Sequence, residues 1–80
     1  MSKLKYIMTN RGPVIFSEAL LHKDVAEGLK EISSAGFVYI TWDEEEQKFL
    51  SKPHGESISL KIKSDPENDK RKIDTFLNGY

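Results

Sequence analysis

The sequence predicts a single α+β domain over residues 1–80, with a mainly antiparallel sheet of about five strands and two helices in the order ββαβββα. Three observations predict it. Several segments alternate apolar and polar residues with a period of two. Short clusters of turn formers of hairpin length separate them, which favours antiparallel neighbours. The C-terminal segment carries an apolar stripe at helical spacing.

Residues 3–9 place Leu4, Tyr6 and Met8 on one side and Lys3, Lys5 and Thr9 on the other, with Ile7 interrupting the polar side. Asn10-Arg11-Gly12-Pro13 reverses the chain, and Val14-Ile15-Phe16 returns as the second strand of a hairpin. A helix begins near His22, with Asp24 in its first turn and Val25, Leu29 and Ile32 at helical spacing. Gly28 ends it near residue 29, or it continues to about Ser33 with Gly36 beyond its end; the shorter form is expected. Phe37 to Trp42 is the strongest strand signal, every residue being β-branched or aromatic. The acidic run Asp43 to Glu46 forms a solvated hairpin tip, and residues 47–51 pair back. Lys52-Pro53-His54-Gly55 reads as a second turn. Ser57 to Lys63 then alternates, with Ile58, Leu60 and Ile62 inward and Ser57, Ser59, Lys61 and Lys63 outward. The last helix runs from Pro66 to about Asn78. Asp65 stands at its cap, Ser64 and Glu67 have capping-box spacing, and Gly79 is its stop. Its stripe of Ile73, Phe76, Leu77 and Tyr80 is expected to pack on the strand bearing Ile58, Leu60 and Ile62.

Eighty residues are too few to divide into two domains with cores of their own. Hydrophobic residues make up 38% and charged residues 31%, a globular balance in which eight aromatic residues (one Trp, three Tyr, four Phe) supply much of the core. Cysteine is absent, so a thiolate nucleophile, a disulfide framework and a thiolate zinc site are all excluded. No segment approaches the roughly 18 apolar residues that a membrane helix needs, and the start MSKLKYIMTN lacks the apolar core of a signal peptide. A cytoplasmic location with no membrane partner is the expectation. A net charge of −1 argues against a dedicated nucleic-acid binder, whose affinity comes mainly from neutralising phosphates.

No recognisable catalytic signature is present: there is no Gly-rich phosphate loop, no H-E-x-x-H, no calcium loop and no nucleophile elbow. His22 and His54 are the only histidines, and a capping or surface role accounts for each. A non-enzymatic protein without cofactor or metal is therefore expected. The feature that points to function is parity. Phe37 and Tyr39 point to one face of their strand, while Val38, Ile40 and Trp42 point to the other. With helices on one face, and with the serines and lysines of residues 57–63 on the other, Val38, Ile40 and Trp42 read as a contact surface on an exposed sheet face or edge. The expected occupant is a protein partner or a second copy of the chain. The alternative is a nucleic-acid or nucleotide module that uses Lys61, Lys63 and Arg71, with Lys70-Arg71-Lys72 as a basic cluster on the last helix.

The stretches GPVIFS (12–17), HKDVA (22–26), SAGFV (34–38) and GESISLKIKS (55–64) resemble a family of small uncharacterised bacterial and phage-borne proteins. The resemblance implies a compact domain of accessory or phage–host interaction type, and it carries over no catalytic residue.

Overall fold

The computed structural model describes residues 2–79. Strands β1 (Ser2–Thr9), β2 (Gly12–Ser17), β3 (Ser34–Asp43) and β4 (Lys48–His54) form one antiparallel sheet in the order β2-β1-β3-β4. A helix of five residues, α1 (His22–Ala26), links β2 to β3. A two-stranded hairpin, β5 (Glu56–Ser57) with β6 (Ile62–Lys63), precedes α2 (Pro66–Asn78). The fold is α+β and antiparallel as the sequence predicts, with six strands among the described residues where about five were expected.

The sixth strand comes from residues 57–63, which do not form one strand. The Ser57 hydroxyl accepts a hydrogen bond from the Leu60 amide at 3.2 Å, and Lys61 takes a positive φ of 58°. This local side-chain bond closes a turn that outcompetes the extended form its alternation suggested. Ile58 is consequently 84% exposed rather than inward. The opposite correction applies to Lys52-Pro53-His54, which continues β4 instead of turning. Its partner register with Tyr39, Val38 and Phe37 places Pro53 on an edge strand, where a missing amide is tolerated. The first helix stops at Ala26, earlier than expected, with Gly28 at φ 87° just beyond it.

One face of the sheet packs on α2. Tyr6, Met8, Val38 and Ile73 are fully buried there, with Leu4, Ile15, Ile40 and Leu77 packed around them. Pairing fixes that face, because Leu4 opposes Val38 and Tyr6 opposes Ile15 across the ladders. Phe76 does not join the core: it is 59% exposed, while Asp69, Ile73 and Leu77, four residues apart, make the inward stripe. Asp69 anchors the helix. Its carboxylate accepts from the Tyr6 hydroxyl, from Ser34 Oγ at 2.7 Å and from the Asp65 amide at 2.9 Å. Asp65 therefore precedes the helix as expected, but its side chain caps no backbone amide; it accepts from Asn68 Nδ2 instead. Gly79 ends the helix in the left-handed region, donating to the Thr75 carbonyl.

On the other face, Ile7 and Ala35 are buried near one end, where α1 packs on β1.

Candidate binding face

The contact surface expected at Val38, Ile40 and Trp42 is corrected by this packing. The three do share a face, as parity requires, but it is the face under α2. Val38 is fully buried and Ile40 packs against the core. Trp42 is the most open of the three, 48% exposed and edge-to-face with Phe49 at 4.9 Å. Residues 57–63, whose serines and lysines suggested a polar second face, lie outside this sheet. β3 lies between β1 and β4, and on β1 Lys3 and Lys5 oppose Tyr39 and Phe37. That alternation of Lys3 and Lys5 with Leu4, Tyr6 and Met8 was the signal identifying the open face.

The open face is a cationic, aromatic surface. Phe37 and Tyr39 on β3 stand on either side of His54 from β4, with ring centroids 6.0 and 5.1 Å from it and ring planes tilted by 27° and 11°. Lys3 Nζ lies 4.6 Å from the Phe37 ring centre and Lys5 Nζ 5.9 Å from it, within cation–π range. Lys52 adjoins as the partner of Tyr39 across the β3–β4 ladder. Among the described residues, no carboxylate lies within 4 Å of Lys3, Lys5 or Lys52, because the only ion pairs are Lys48–Glu46 and Lys70–Asp74. Lys5 is steadied by donating to the Leu20 carbonyl at 2.6 Å, which leaves its charge uncompensated.

Two depressions flank this ladder of rings. Beyond Tyr39, a cleft of about 690 Å³ includes Thr41, Leu50 and Lys52 and wraps the β4 edge to Pro66 and Lys70. Beyond Phe37, a smaller one of about 320 Å³ is lined by Lys5, Leu21, His22, Glu56 and Ile58.

The two histidines do not form an acid–base pair; each packs on Phe37. His22 is buried edge-on between Phe16 and Phe37, and its Nε2–H donates to the Gly36 carbonyl at 2.9 Å. Burial pushes it below the ordinary histidine range and the Lys5 charge adds to that, outweighing the backbone bond to Gly36. It is neutral at physiological pH. His54 donates through Nδ1 to the Lys52 carbonyl at 3.2 Å, leaving Nε2 free to accept. Tyr6 is held protonated by burial and by the Asp69 carboxylate beside it, which suits a structural donor. Among the described residues, no three histidine or acidic side chains are grouped to hold a metal ion.

The structure does not bring Lys61, Lys63 and Arg71 onto one surface cleft. Lys61 and Lys63 belong to the β5–β6 hairpin, whereas Arg71 lines a cleft on α2 with Arg11 and Lys72. The β4 edge is also closed to an added strand at Phe49 and Ser51, whose backbone groups are bonded by Asn78, Asp74 and Lys70. No helix among the described residues is long and apolar enough to cross a membrane. No protein-family model, curated protein or solved structure matches the chain.

Proposed function

We propose that this chain is a non-enzymatic binding module that takes single-stranded nucleic acid on its open sheet face. The observation that carries the reading is the ladder Phe37–His54–Tyr39 set among Lys3, Lys5 and Lys52, with no carboxylate among the described residues within 4 Å of those lysines. Flat rings and unpaired cations on adjacent strands are what a strand of stacked bases joined by phosphates requires. The net charge of −1 does not oppose this, because the lysines Lys3, Lys5 and Lys52 share one face while Asp43–Glu46 sit at the far hairpin tip; Glu56 is the acid at the rim beside Lys5. Bases extend the ladder past Tyr39 into the cleft at Leu50 and Lys52, and the three lysines meet the phosphates.

The test is anisotropy of a labelled single-stranded oligonucleotide across a salt series. Three phosphate contacts give a slope of log K against log salt of roughly −2. Tyr39→Ala weakens binding about 5- to 150-fold, the span of one base-stacking interaction. Binding that is absent at low salt, or unchanged in Tyr39→Ala and Lys3→Ala, overturns the reading.

A second reading has its own observation. Leu20, Leu21 and Ile58 are all exposed, and Leu21 and Ile58 line the depression beside Phe37. An apolar rim of this kind suits a protein partner or a second copy of the chain. Sedimentation across a dilution series tests the second copy, and Ile58→Lys disperses any dimer made there.

A further inference from the structure

We propose that the cleft between the β1–β2 turn and α2 is a nucleotide-binding site, in which Arg11, Arg71 and Lys72 hold the phosphates and Phe76 carries the base. The site is independent of the open sheet face, since α2 lies on the other side of the sheet.

The cleft has a volume of about 610 Å³, within the range of small-molecule sites. Arg11, Arg71 and Lys72 all line it, and among the described residues none of them has a carboxylate within 4 Å. Three cations without an ion-pair partner share the concavity with one acid, Glu31, so the excess is positive and an anion relieves the repulsion among them. Two of the three are arginines, whose planar fork matches phosphate oxygens in pairs.

The supporting shell is ordered on both walls. The Thr9 hydroxyl donates to the Gly12 carbonyl at 2.9 Å and accepts from the Arg11 amide at 3.1 Å, which fixes the turn that presents Arg11. The Arg71 guanidinium donates to Asn68 Oδ1 at 2.9 Å, which holds its stem against the helix and leaves its remaining donors for a ligand. Preorganisation of this kind lowers the ordering cost of binding.

Phe76 distinguishes a nucleotide from a bare anion. Its neighbours Ile73 and Leu77 enter the core, yet Phe76 stays out and lines the same cleft. An exposed phenyl ring lining the same cleft as the cations offers a stacking surface for a base. Glu31 is the acid on the cleft wall, the residue type that accepts from ribose hydroxyls or base amino groups.

The test is an NMR titration of the full chain with ADP, UDP, inorganic phosphate and adenosine as separate probes. A nucleoside diphosphate is expected to saturate at one per chain with a Kd below about 1 mM, moving the Phe76 ring and Arg71 side-chain signals. Inorganic phosphate and adenosine bind at least about tenfold more weakly, and Arg71→Ala and Phe76→Ala each weaken the diphosphate by a similar factor. Both side chains are solvent-accessible, and the amide spectrum of each variant reports whether it is folded. The wild-type shift map stands on its own should either variant misfold. Overturning results are the absence of saturable shifts with either diphosphate, shifts confined to the Tyr39 face, or phosphate binding as tightly as ADP.

Discussion

Asn78 makes to Phe49 both of the backbone hydrogen bonds that a neighbouring strand would make. Its Oδ1 accepts from the Phe49 amide at 2.8 Å and its Nδ2 donates to the Phe49 carbonyl at 2.9 Å. Two residues further along the same edge, Asp74 accepts from the Ser51 amide and Lys70 donates to the Ser51 carbonyl. Positions 70, 74 and 78 are four apart, so one face of α2 lies along the edge of β4 as a substitute strand. An uncovered edge recruits other chains, and this one is covered by side chains.

Asn78→Ala removes both bonds to Phe49 and reopens that part of the edge. The expected loss is roughly 1–2 kcal/mol, the net value of two ordinary hydrogen bonds, with faster amide exchange at Phe49. Urea midpoints and hydrogen exchange measure it. An unchanged Phe49 exchange rate would show that the edge is protected by something else.

The last helix separates what its spacing revealed from what it hid. Ile73→Ala should destabilise the domain by about 2–5 kcal/mol, because Ile73 is fully buried among Tyr6, Met8 and Val38. Phe76→Ala should change stability by less than about 1 kcal/mol, since that ring is mostly in water. Equal losses in the two variants would contradict the orientation of α2.

The limits of the sequence lie at residues whose environment is decided by distant partners. The bounds of α2, the first hairpin and the apolar run of β3 were legible, because Pro66, Gly79, the Asn10–Pro13 turn and the β-branched and aromatic run at Phe37–Trp42 act locally. Which face of β3 the helix covers was not local information. Both sets of alternate residues in Phe37–Trp42 are apolar, so the choice fell to β1, where Leu4, Tyr6 and Met8 match Val38 and leave Lys3 and Lys5 outside. Asp69 was equally hidden: a carboxylate in a helix reads as surface until Tyr6 and Ser34 are brought to it by the sheet. The ladder of Phe37, His54 and Tyr39 needed the β3–β4 register, and Pro53 made that stretch look like a turn.

Acid should weaken the fold in two steps of the same sign. His22 is buried as the neutral form, so its folded pKa lies below the unfolded value of about 6.5. The unfolded chain then takes up a proton that the folded chain resists, and the stabilisation present above about pH 6.5 is lost as pH falls below it. His22→Gln, which keeps a donor for Gly36 without titrating, should flatten stability between about pH 7 and 5. Asp74 acts lower. Partial burial raises its pKa, but the bonds from Lys70 and Ser51 outweigh that and lower it overall. Its contribution is present above the unfolded carboxylate value of about 3.9 and disappears as pH falls through the lower folded one. Denaturation midpoints across pH in both variants, His22→Gln and Asp74→Asn, check the order of the steps. A slope near pH 6 that survives in His22→Gln assigns it to another group.

Gly36 is the position where the least added volume should do the most damage. It lies on β3 with its missing side chain aimed at the junction where β4 leaves the sheet and β6 leads into α2. A Cβ there would stand 2.5 Å from the His54 carbonyl oxygen and 3.2 Å from the Ser64 Cβ. The first contact is with backbone, which cannot swing aside as a flexible side chain can, so the strands themselves must part. The same residue gives its carbonyl to His22, and it sits opposite Tyr6 in the β1–β3 ladder. Moving Gly36 therefore disturbs the sheet, the buried histidine and the link to α2 together. Overpacking of this kind typically costs about 1–3 kcal/mol, and Gly36→Ala should lower Tm by roughly 4–24 °C in a domain of this size. The Phe37–His54 stacking should loosen with it, since their pairing lies next to the displaced carbonyl. Calorimetry of Gly36→Ala measures the first effect and ring shifts of His54 the second. A variant as stable as the parent, with His54 unmoved, would mean that β3 and β4 do not meet as closely as this junction requires.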